Sequence, residues 1–197
     1  MTSDKKTAIL SAAQKLFREK GLGMSTMEDV AGSAGMGKSS LYYYFKSKEE
    51  IFNAVVEMEI GEIILETIKQ VSLQQGLLDK LTVFANVKFE MSRNRRSLYR
   101  AMEAGMDAEA YSRYQEVKKN IHQKYLLKET VLLQQIMVTA AVRKEIAEFT
   151  PRVLDDIIII FLSALRGINR ELHQYGPAGE GASRVASFCQ LFYEGLS

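Results

Sequence analysis

Apolar residues recur along most of the chain at spacings of three and four positions, the period of an amphipathic helix. The first such stretch is followed by Gly21, a residue that readily adopts the left-handed conformation closing a helix. Only 2 of the 197 residues are proline, and no run of alternating β-branched residues bounded by turns is present. The pattern therefore predicts an all-α fold. The apolar positions of the first helix are Ile9, Leu10, Ala13, Leu16 and Phe17.

Two short predicted helices follow, separated by a turn that contains Gly35. Ser25-Thr-Met-Glu28 has the spacing of a capping box, with serine at the cap and glutamate three residues later. The helix after the turn runs from Lys38 to Phe45 and is anchored inward by Leu41 and Phe45. A second capping box, Ser47–Glu50, opens a fourth helix. Helix, tight turn and polar helix in this order predict a helix-turn-helix unit.

The third predicted helix carries serine and tyrosine hydroxyls beside a lysine, which are groups that hold phosphates and base edges. We expect Lys38, Ser39, Ser40 and Tyr43 to reach base edges. Tyr42 and Lys48 are expected to hold phosphates, since Lys48 lies in the first turn of the fourth helix beside free N–H groups. A small three-helix bundle with a polar surface is the alternative. The expected DNA contacts are Ser25, Thr26, Lys38, Ser39, Ser40, Tyr42, Tyr43 and Lys48.

Three segments carry a resemblance to a known family: Ile9-Leu-x-Ala-Ala-x-x-Leu-Phe-x-x-Lys-Gly21, Ser25-Thr-x-x-Asp-Val-Ala31 and Gly35-x-x-Lys-x-x-Leu-Tyr-Tyr-Tyr-Phe-Lys-Ser-Lys-Glu49. Together they closely resemble the DNA-binding domain of TetR-family transcriptional regulators, over about a quarter of the chain. The resemblance implies an all-helical dimer with an N-terminal helix-turn-helix and a larger C-terminal effector-binding domain. The family often has a serine at the start of its recognition helix and a glycine inside it. Gly37 and Ser39 stand there in this chain, so base preference does not carry over.

The charge distribution agrees with a DNA-binding N-terminus. The net charge is only +2, but residues 1–50 carry 8 Lys/Arg against 6 Asp/Glu, while 51–197 carry 18 of each. The single cysteine, Cys189, excludes an intramolecular disulfide, and its place on an apolar stripe favours an inert thiol. The N-terminus lacks a signal-peptide pattern, and the longest apolar run, Ile157–Leu165, is too short for a bilayer. We expect a cytoplasmic protein without membrane association.

Residues 51–197 are predicted to form a second, helical-bundle domain for effector binding and dimerisation, after a DNA-binding domain at 1–50. Its predicted helices include Leu77–Phe89, Leu98–Met102 (ending near Gly105) and Ala108–Thr139. No flexible linker is visible around the fourth helix, so movement in the second domain would reach the DNA-binding unit. Methionine and aromatic residues are abundant in the middle of the chain. They form either an ordinary core or an apolar effector pocket, because helical bundles place ligands between helices. The candidate pocket residues are Phe84, Phe89, Met102, Met106, Tyr111, Tyr114 and Met137.

The C-terminal part of the chain predicts a dimer interface. Thr150-Pro151 starts a helix with a cap and a first-turn proline, and four successive isoleucines at 157–160 then place apolar side chains all round it. Pairing this helix and the last one with their copies makes a four-helix bundle, whereas capping the core of a monomer is the alternative. The helix-turn-helix favours the dimer, because two-fold dimers read palindromic sites. The candidate interface residues are Ile158, Phe161, Leu165, Phe188 and Phe192.

No constellation of catalytic residues is visible, and no metal or cofactor is expected. His122 and His173 are isolated from each other and from metal-ligand spacings, and Asp155 and Asp156 point about 100° apart on a helix. Two hypotheses remain. The chain is a ligand-controlled, homodimeric DNA-binding repressor released by an apolar or aromatic effector, or a helical-bundle protein that binds another protein or a small molecule and has only vestigial DNA binding.

Overall fold

The computed structural model describes residues 2–103, 107–175 and 180–196, with side chains for all of these except 2–3, 92–103, 110, 113 and 118. Within these residues every regular element is an α-helix, which confirms the predicted all-α fold class with its N-terminal helix-turn-helix. The helices are α1 (Thr2–Lys20), α2 (Met27–Ser33), α3 (Lys38–Tyr44), α4 (Lys48–Ser72), α5 (Leu77–Glu103), α6 (Ala108–Val142), α7 (Pro151–Tyr175) and α8 (Gly181–Glu194).

Helix α5 differs from the prediction. Two helices were expected, over Leu77–Phe89 and Leu98–Met102, but one helix runs through both segments to Glu103. All but one of the residues between them are polar, which interrupts the apolar stripe, yet they include no glycine or proline that would break a helix. The interruption of the apolar stripe therefore did not mark the end of a helix. The long helix expected over Ala108–Thr139 is confirmed as α6.

The chain divides into two compact units. The first comprises Met1–Glu62 and Arg95–Lys124, and the second comprises Ile63–Asn94 and Tyr125–Ser197. The first unit thus extends beyond the predicted 1–50 domain and includes parts of α4, α5 and α6. No flexible linker follows the helix-turn-helix, because α4 continues without a break from Lys48 to Ser72.

In the first unit, α1 to α4 enclose a small aromatic core. Phe17 and Phe52 are buried and meet edge to face, with ring centroids 6.3 Å apart. Beside them lies a buried carboxylate, that of Glu59, which accepts hydrogen bonds from Gln14 at 2.7 Å and Arg18 at 3.0 Å. A buried charge of this kind is costly unless it is paired, so these donors tie α1 to α4. The support beneath the helix-turn-helix is therefore both packed and hydrogen-bonded.

The second unit has a larger core formed by α5 to α8. Phe161 lies at its centre, with its ring centroid 6.1 Å from that of Phe84 and 4.8 Å from that of Phe192. Gly181 packs so closely that an added Cβ would lie 2.1 Å from the ring of Phe89, so only glycine fits there. A buried ion pair joins Lys88 to Glu129 within this unit. The unit is thus a densely packed bundle that includes a buried charge pair.

Three of the five residues predicted for the dimer interface lie in the core of a single chain. Ile158, Phe161 and Leu165 are completely buried within a single chain, so they are core residues and offer no surface to a second copy. Phe188 and Phe192 are half-buried and pack on Phe161. The physical reason is that the main apolar stripe of α7 faces its own bundle. The large apolar side chains that α7 leaves exposed include Ile159 and Ile160.

The predicted effector-pocket residues do not gather within one unit. Phe84, Phe89 and Met137 belong to the core of the second unit, as the alternative interpretation of ordinary core residues required. Tyr111 and Tyr114 belong to the first unit, where Tyr111 is exposed and Tyr114 packs against Phe52 at 5.7 Å between ring centroids. Met106 and the side chain of Met102 lie outside the described residues.

Candidate nucleic-acid interface

The turn between α2 and α3 is built around Gly35. Its φ of +64° lies in the left-handed region that favours glycine, and the N–H of Met36 then donates to the carbonyl of Ala31 at 2.9 Å. Gly37 follows in an extended conformation and forms the N-cap of α3 without a side-chain hydrogen bond. The predicted order of helix, glycine turn and helix is therefore confirmed, and this backbone fixes where α3 begins.

Helix α3 is held from beneath and exposed above. Leu41 and Phe45 are buried, as expected, and they attach the helix to the core of the first unit. Because successive side chains of a helix are about 100° apart, Ser39 and Tyr43 lie on the face of α3 that points away from this core. Tyr43 is 76% exposed and Tyr42 is 37% exposed. The structure thus brings the predicted reading residues of α3 together on one solvent-facing surface.

Lys38 is paired with a carboxylate that the sequence analysis missed. Its ammonium forms an ion pair with Glu28 on α2, and it lies 5.9 Å from the ring centroid of Tyr42. The hydrogen bond from Lys38 lowers the pKa of Glu28, and the same contact raises the pKa of Lys38. Lys38 can therefore approach a base edge only by exchanging this partner. The ten-residue separation of the two residues gave no local signal for the pairing.

The N-cap of α2 is Thr26 and not Ser25. The Thr26 hydroxyl accepts a hydrogen bond from the N–H of Asp29 at 3.1 Å, and the N–H of Thr26 donates to the Asp29 carboxylate at 2.9 Å. Ser25 is buried, and its hydroxyl donates to the carbonyl of Gly21 at 2.6 Å. The predicted capping box is thus displaced by one residue. Ser25 has no free hydroxyl to offer a phosphate, whereas Thr26 is exposed at the helix start.

Asp29 is held as a carboxylate by several donors. Lys20 donates to it at 2.8 Å, and the hydroxyl and N–H of Thr26 donate as well. The hydrogen bond from Lys20, followed by those from Thr26, lowers the pKa of Asp29 to about 2. The end of α1 is thereby joined to the first turn of α2.

Lys48 lies where the sequence placed it, in the first turn of α4, but its ammonium has protein partners. It donates to the carbonyls of Leu22 at 3.0 Å, Ser25 at 3.2 Å and Gly23 at 3.4 Å. These three acceptors belong to the connection between α1 and α2. Lys48 therefore fastens that connection to the start of α4, a structural role that sequence reasoning did not identify.

The second predicted capping box is confirmed in part. The N–H of Glu50 donates to the Ser47 hydroxyl at 3.2 Å, as expected for a serine cap. The Glu50 carboxylate, however, accepts from the N–H of Lys46 at 2.6 Å and not from that of Ser47. This carboxylate fixes the short connection between α3 and α4.

Two further findings bear on other kinds of site in the chain. Burial raises the pKa of the Cys189 thiol to about 11, in agreement with an inert core cysteine. Among the described helices, none combines the length and apolar character required to cross a membrane. The exposed hydroxyls, rings and lysines of α3 and its surroundings thus form the main candidate interface.

Comparisons with known proteins agree with this geometry. Residues 9–55 match the model of the bacterial regulatory proteins of the tetR family, a span that contains α1 to α3 and the start of α4. The transcriptional regulator RutR of Escherichia coli K12 is 37% identical over 92 residues, which is 47% of this chain and 43% of RutR. The alignments with the curated relatives span half or less of those proteins' own length.

Solved structures share the fold over nearly the whole chain. A regulator from Pseudomonas aeruginosa PAO1 superposes with a TM-score of 0.70 at 13% identity, covering 99% of this chain and 91% of that one. FadR from Bacillus subtilis, solved in complex with stearoyl-CoA, gives a TM-score of 0.63 at 17% identity, covering 97% and 99%. The relatives are regulators rather than enzymes, in agreement with the expectation of a non-enzymatic protein. Residues 9–55 therefore carry a helix-turn-helix of the tetR family type, and the solved structures share the all-helical fold of the chain.

Proposed function

We propose that the protein is a DNA-binding transcriptional regulator, acting in the cytoplasm, whose helix α3 reads the major groove. The observation that carries this proposal is the surface of α3. Two buried residues, Leu41 and Phe45, hold the helix, while serine and tyrosine hydroxyls face outward from it. A short helix presented in this way by a helix-turn-helix is the usual reader of base edges.

The decisive experiment measures binding to DNA upstream of the protein's own gene and to a random duplex. A regulator binds both with an affinity that falls as salt is raised, and binds the upstream site more tightly at physiological salt. Equal, weak affinity for the two duplexes would favour the alternative of a helical bundle with vestigial DNA binding.

Within this proposal, the residues on the outward face of α3 specify sequence. Ser39 and Tyr43 are the candidates for base edges, with Lys38 after it exchanges Glu28 for a base. Ser39→Ala is expected to relax preference at particular base pairs, at a cost of about 1–3 kcal/mol for a good contact. A binding-selection profile identical to that of the wild type would remove Ser39 from the set.

Tyr42 and Lys48 are proposed to hold the DNA backbone. Lys48 stands at the start of α4, where the first N–H groups of the helix also favour an anion. A phosphate contact by its ammonium contributes about 0.9 to the salt slope, so Lys48→Ala would lower that slope by about one. An unchanged slope in the folded variant would leave Lys48 with its structural role alone.

We further propose that the regulator is a homodimeric repressor. Large apolar side chains stay exposed on the two C-terminal helices: Ile159 and Ile160 on α7 are 55% and 60% exposed, and Leu191 on α8 is 70% exposed. A second copy of the same two helices would cover such a surface in a four-helix bundle. Two copies also match a palindromic operator.

The effector is proposed to be an apolar or aromatic small molecule that binds the second unit. The core of that unit is rich in large apolar side chains, and it includes Phe84, Phe89 and Met137. The Bacillus subtilis FadR structure with stearoyl-CoA supports an apolar ligand for a bundle of this fold. Mass spectrometry of molecules that copurify with the protein tests this part of the proposal.

A further inference from the structure

A cleft of about 480 Å³ opens beside the recognition helix within the first unit. Successive residues of a helix are about 100° apart, so Ser40 and Tyr44 project from the flank of α3 opposite that of Lys38 and Tyr42. Helix α1 forms the facing wall of the cleft, and the glycine turn forms its end. The lining residues are Lys5, Ala8, Ala34, Gly35, Met36, Ser40, Tyr43 and Tyr44.

The lining is chemically one-sided. It contains one ammonium group, from Lys5, and the hydroxyls of Ser40, Tyr43 and Tyr44, but no acidic side chain. Within the described part of the chain, these three hydroxyls make no side-chain hydrogen bond, and Tyr43 and Tyr44 contact each other only through their rings, at 5.1 Å. Four residues with groups able to donate hydrogen bonds therefore line a space to which no carboxylate contributes. An anion is the occupant that matches this lining.

Lys5 is the cation on the lining of this cleft. Over the described residues it has no ion-pair partner, and it is exposed. Five other cations contact carboxylates or carbonyls: Lys15 with Glu19, Arg18 with Glu59, Lys20 with Asp29, Lys38 with Glu28, and Lys48 with the carbonyls of residues 22, 23 and 25. Of the remaining two, Lys6 lies 5.3 Å from the ring centroid of Phe45, and Lys46 donates to the carbonyl of Tyr42 at 3.4 Å. Lys5 can therefore take up an anion without losing an existing bond.

We propose that this cleft receives a phosphodiester of the DNA backbone, with Lys5 as its cation and the hydroxyls of Ser40 and Tyr44 as further donors. A helix lying in the major groove has a sugar-phosphate backbone on each side, since the groove is about 12 Å wide. Tyr42 faces one backbone, and the cleft faces the other. The proposal rests on the proposed DNA-binding function. It moves Ser40 from the base-reading set to the phosphate contacts and adds Lys5 and Tyr44.

The test compares two charge-removing substitutions on the same helix. Lys5→Gln removes the cation of the cleft, while Lys15→Gln removes an exposed cation of α1 that is paired with Glu19. Binding of each variant to a fluorescein-labelled random duplex is followed by anisotropy over a range of KCl concentrations. The salt slope of Lys5→Gln is expected to fall by about 0.9, whereas that of Lys15→Gln stays at the wild-type value.

A third variant separates charge from hydrogen bonding. Tyr44→Phe keeps the ring and removes the hydroxyl, so its affinity is expected to fall about two- to tenfold at unchanged salt slope. Circular dichroism confirms that each variant is folded. If Lys5→Gln keeps the wild-type slope, or if Lys15→Gln loses as much as Lys5→Gln, the cleft is not a phosphate site although DNA binding stands. A wild-type protein without salt-dependent DNA binding would overturn the proposed function and this inference together.

Discussion

At the scale of single residues, Lys48 is the side chain whose structural role can be measured most directly. Its ammonium donates to three carbonyls of the α1–α2 connection. Because hydrogen bonds that involve a charged group are the stronger ones, Lys48→Ala is expected to lower the free energy of unfolding by about 1–3 kcal/mol. Urea denaturation measures the loss. Lys15→Ala, on the exposed surface of α1, is the control and should change stability by less than about 0.5 kcal/mol. Equal stability of wild type and Lys48→Ala would show that these carbonyl contacts contribute nothing.

The same residue shows what the sequence can and cannot predict. The position of Lys48 follows from local rules, since a serine cap and a helix start need only a few neighbouring residues. Its partners come from residues 22–25, more than twenty positions earlier, and no local pattern specifies them. The ion pair between Lys38 and Glu28 is likewise formed between two helices, and no local pattern specifies it. The burial of Leu41 and Phe45 was predictable, in contrast, because it depends on helical period alone.

At the scale of elements, the start of α2 shows how two overlapping signals compete. Ser25 and Glu28, and Thr26 and Asp29, both have the spacing of a cap and its partner. The chain uses the second pair, because Ser25 is buried and bonds to Gly21. Spacing alone offered no means of choosing. The choice of cap depends on the backbone that follows α1. Gly21 has a φ of 85°, and its carbonyl accepts the hydrogen bond from the Ser25 hydroxyl.

The Thr26 cap supports a prediction about stability and pH. Thr26→Ala is expected to cost about 1 kcal/mol at neutral pH, while Ser33→Ala on the exposed side of the same helix should be nearly neutral. The folded pKa of Asp29, about 2, lies below its ordinary 3.8, so folding favours the ionised carboxylate. That contribution is fully present above about pH 4 and is lost as the pH falls toward 2. Thr26→Ala removes one donor to Asp29, so acid unfolding, followed by circular dichroism, should begin at a higher pH than in the wild type. Unfolding at the same pH would contradict the role of this cap.

Helix α7 shows that a sequence pattern can predict an apolar stripe without predicting which neighbour covers it. Its start at Thr150-Pro151 is confirmed, with the N–H of Val153 donating to the Thr150 hydroxyl at 3.4 Å. Its apolar surface was also foreseen, yet the buried stripe was assigned to a second copy when it faces its own chain. Periodicity identifies a stripe but not the neighbour that covers it. Only the three-dimensional packing on Phe84, Phe188 and Phe192 distinguishes core from interface.

At the scale of the whole molecule, the first prediction concerns dimerisation. Ile160 is 60% exposed in a single chain, so Ile160→Asp costs the monomer little. In a dimer, the same change would bury an unpaired charge, which is strongly unfavourable. We expect sedimentation velocity at micromolar concentration to show a wild-type dimer and a folded Ile160→Asp monomer. Leu73→Asp, at an apolar position after α4 that is 71% exposed, is the matched control and should remain dimeric. A wild-type monomer, or a dimer that tolerates Ile160→Asp, would contradict the proposed interface.

The last prediction concerns control of DNA binding by a ligand. Two recognition helices of a dimer must lie about 34 Å apart to meet successive major grooves, and α4 runs without interruption from the helix-turn-helix into the second unit. A ligand bound in the second unit can therefore lower DNA affinity if it binds better to a form with another spacing, and only by that difference in affinity. Linkage requires operator DNA to lower ligand affinity by the same factor.

Measuring this factor in both directions tests the mechanism. A ligand found by thermal-shift screening of apolar and aromatic compounds is titrated with and without saturating operator, and the operator is titrated with and without saturating ligand. Typical couplings of 1–3 kcal/mol correspond to about 5- to 150-fold changes, which both titrations can detect. A decrease in affinity by the same factor in both titrations would show that ligand and operator binding are coupled, with the equality serving as the internal check of the measurement. A ligand that binds tightly to the second unit but leaves operator affinity unchanged would refute effector release while leaving DNA binding by α3 intact.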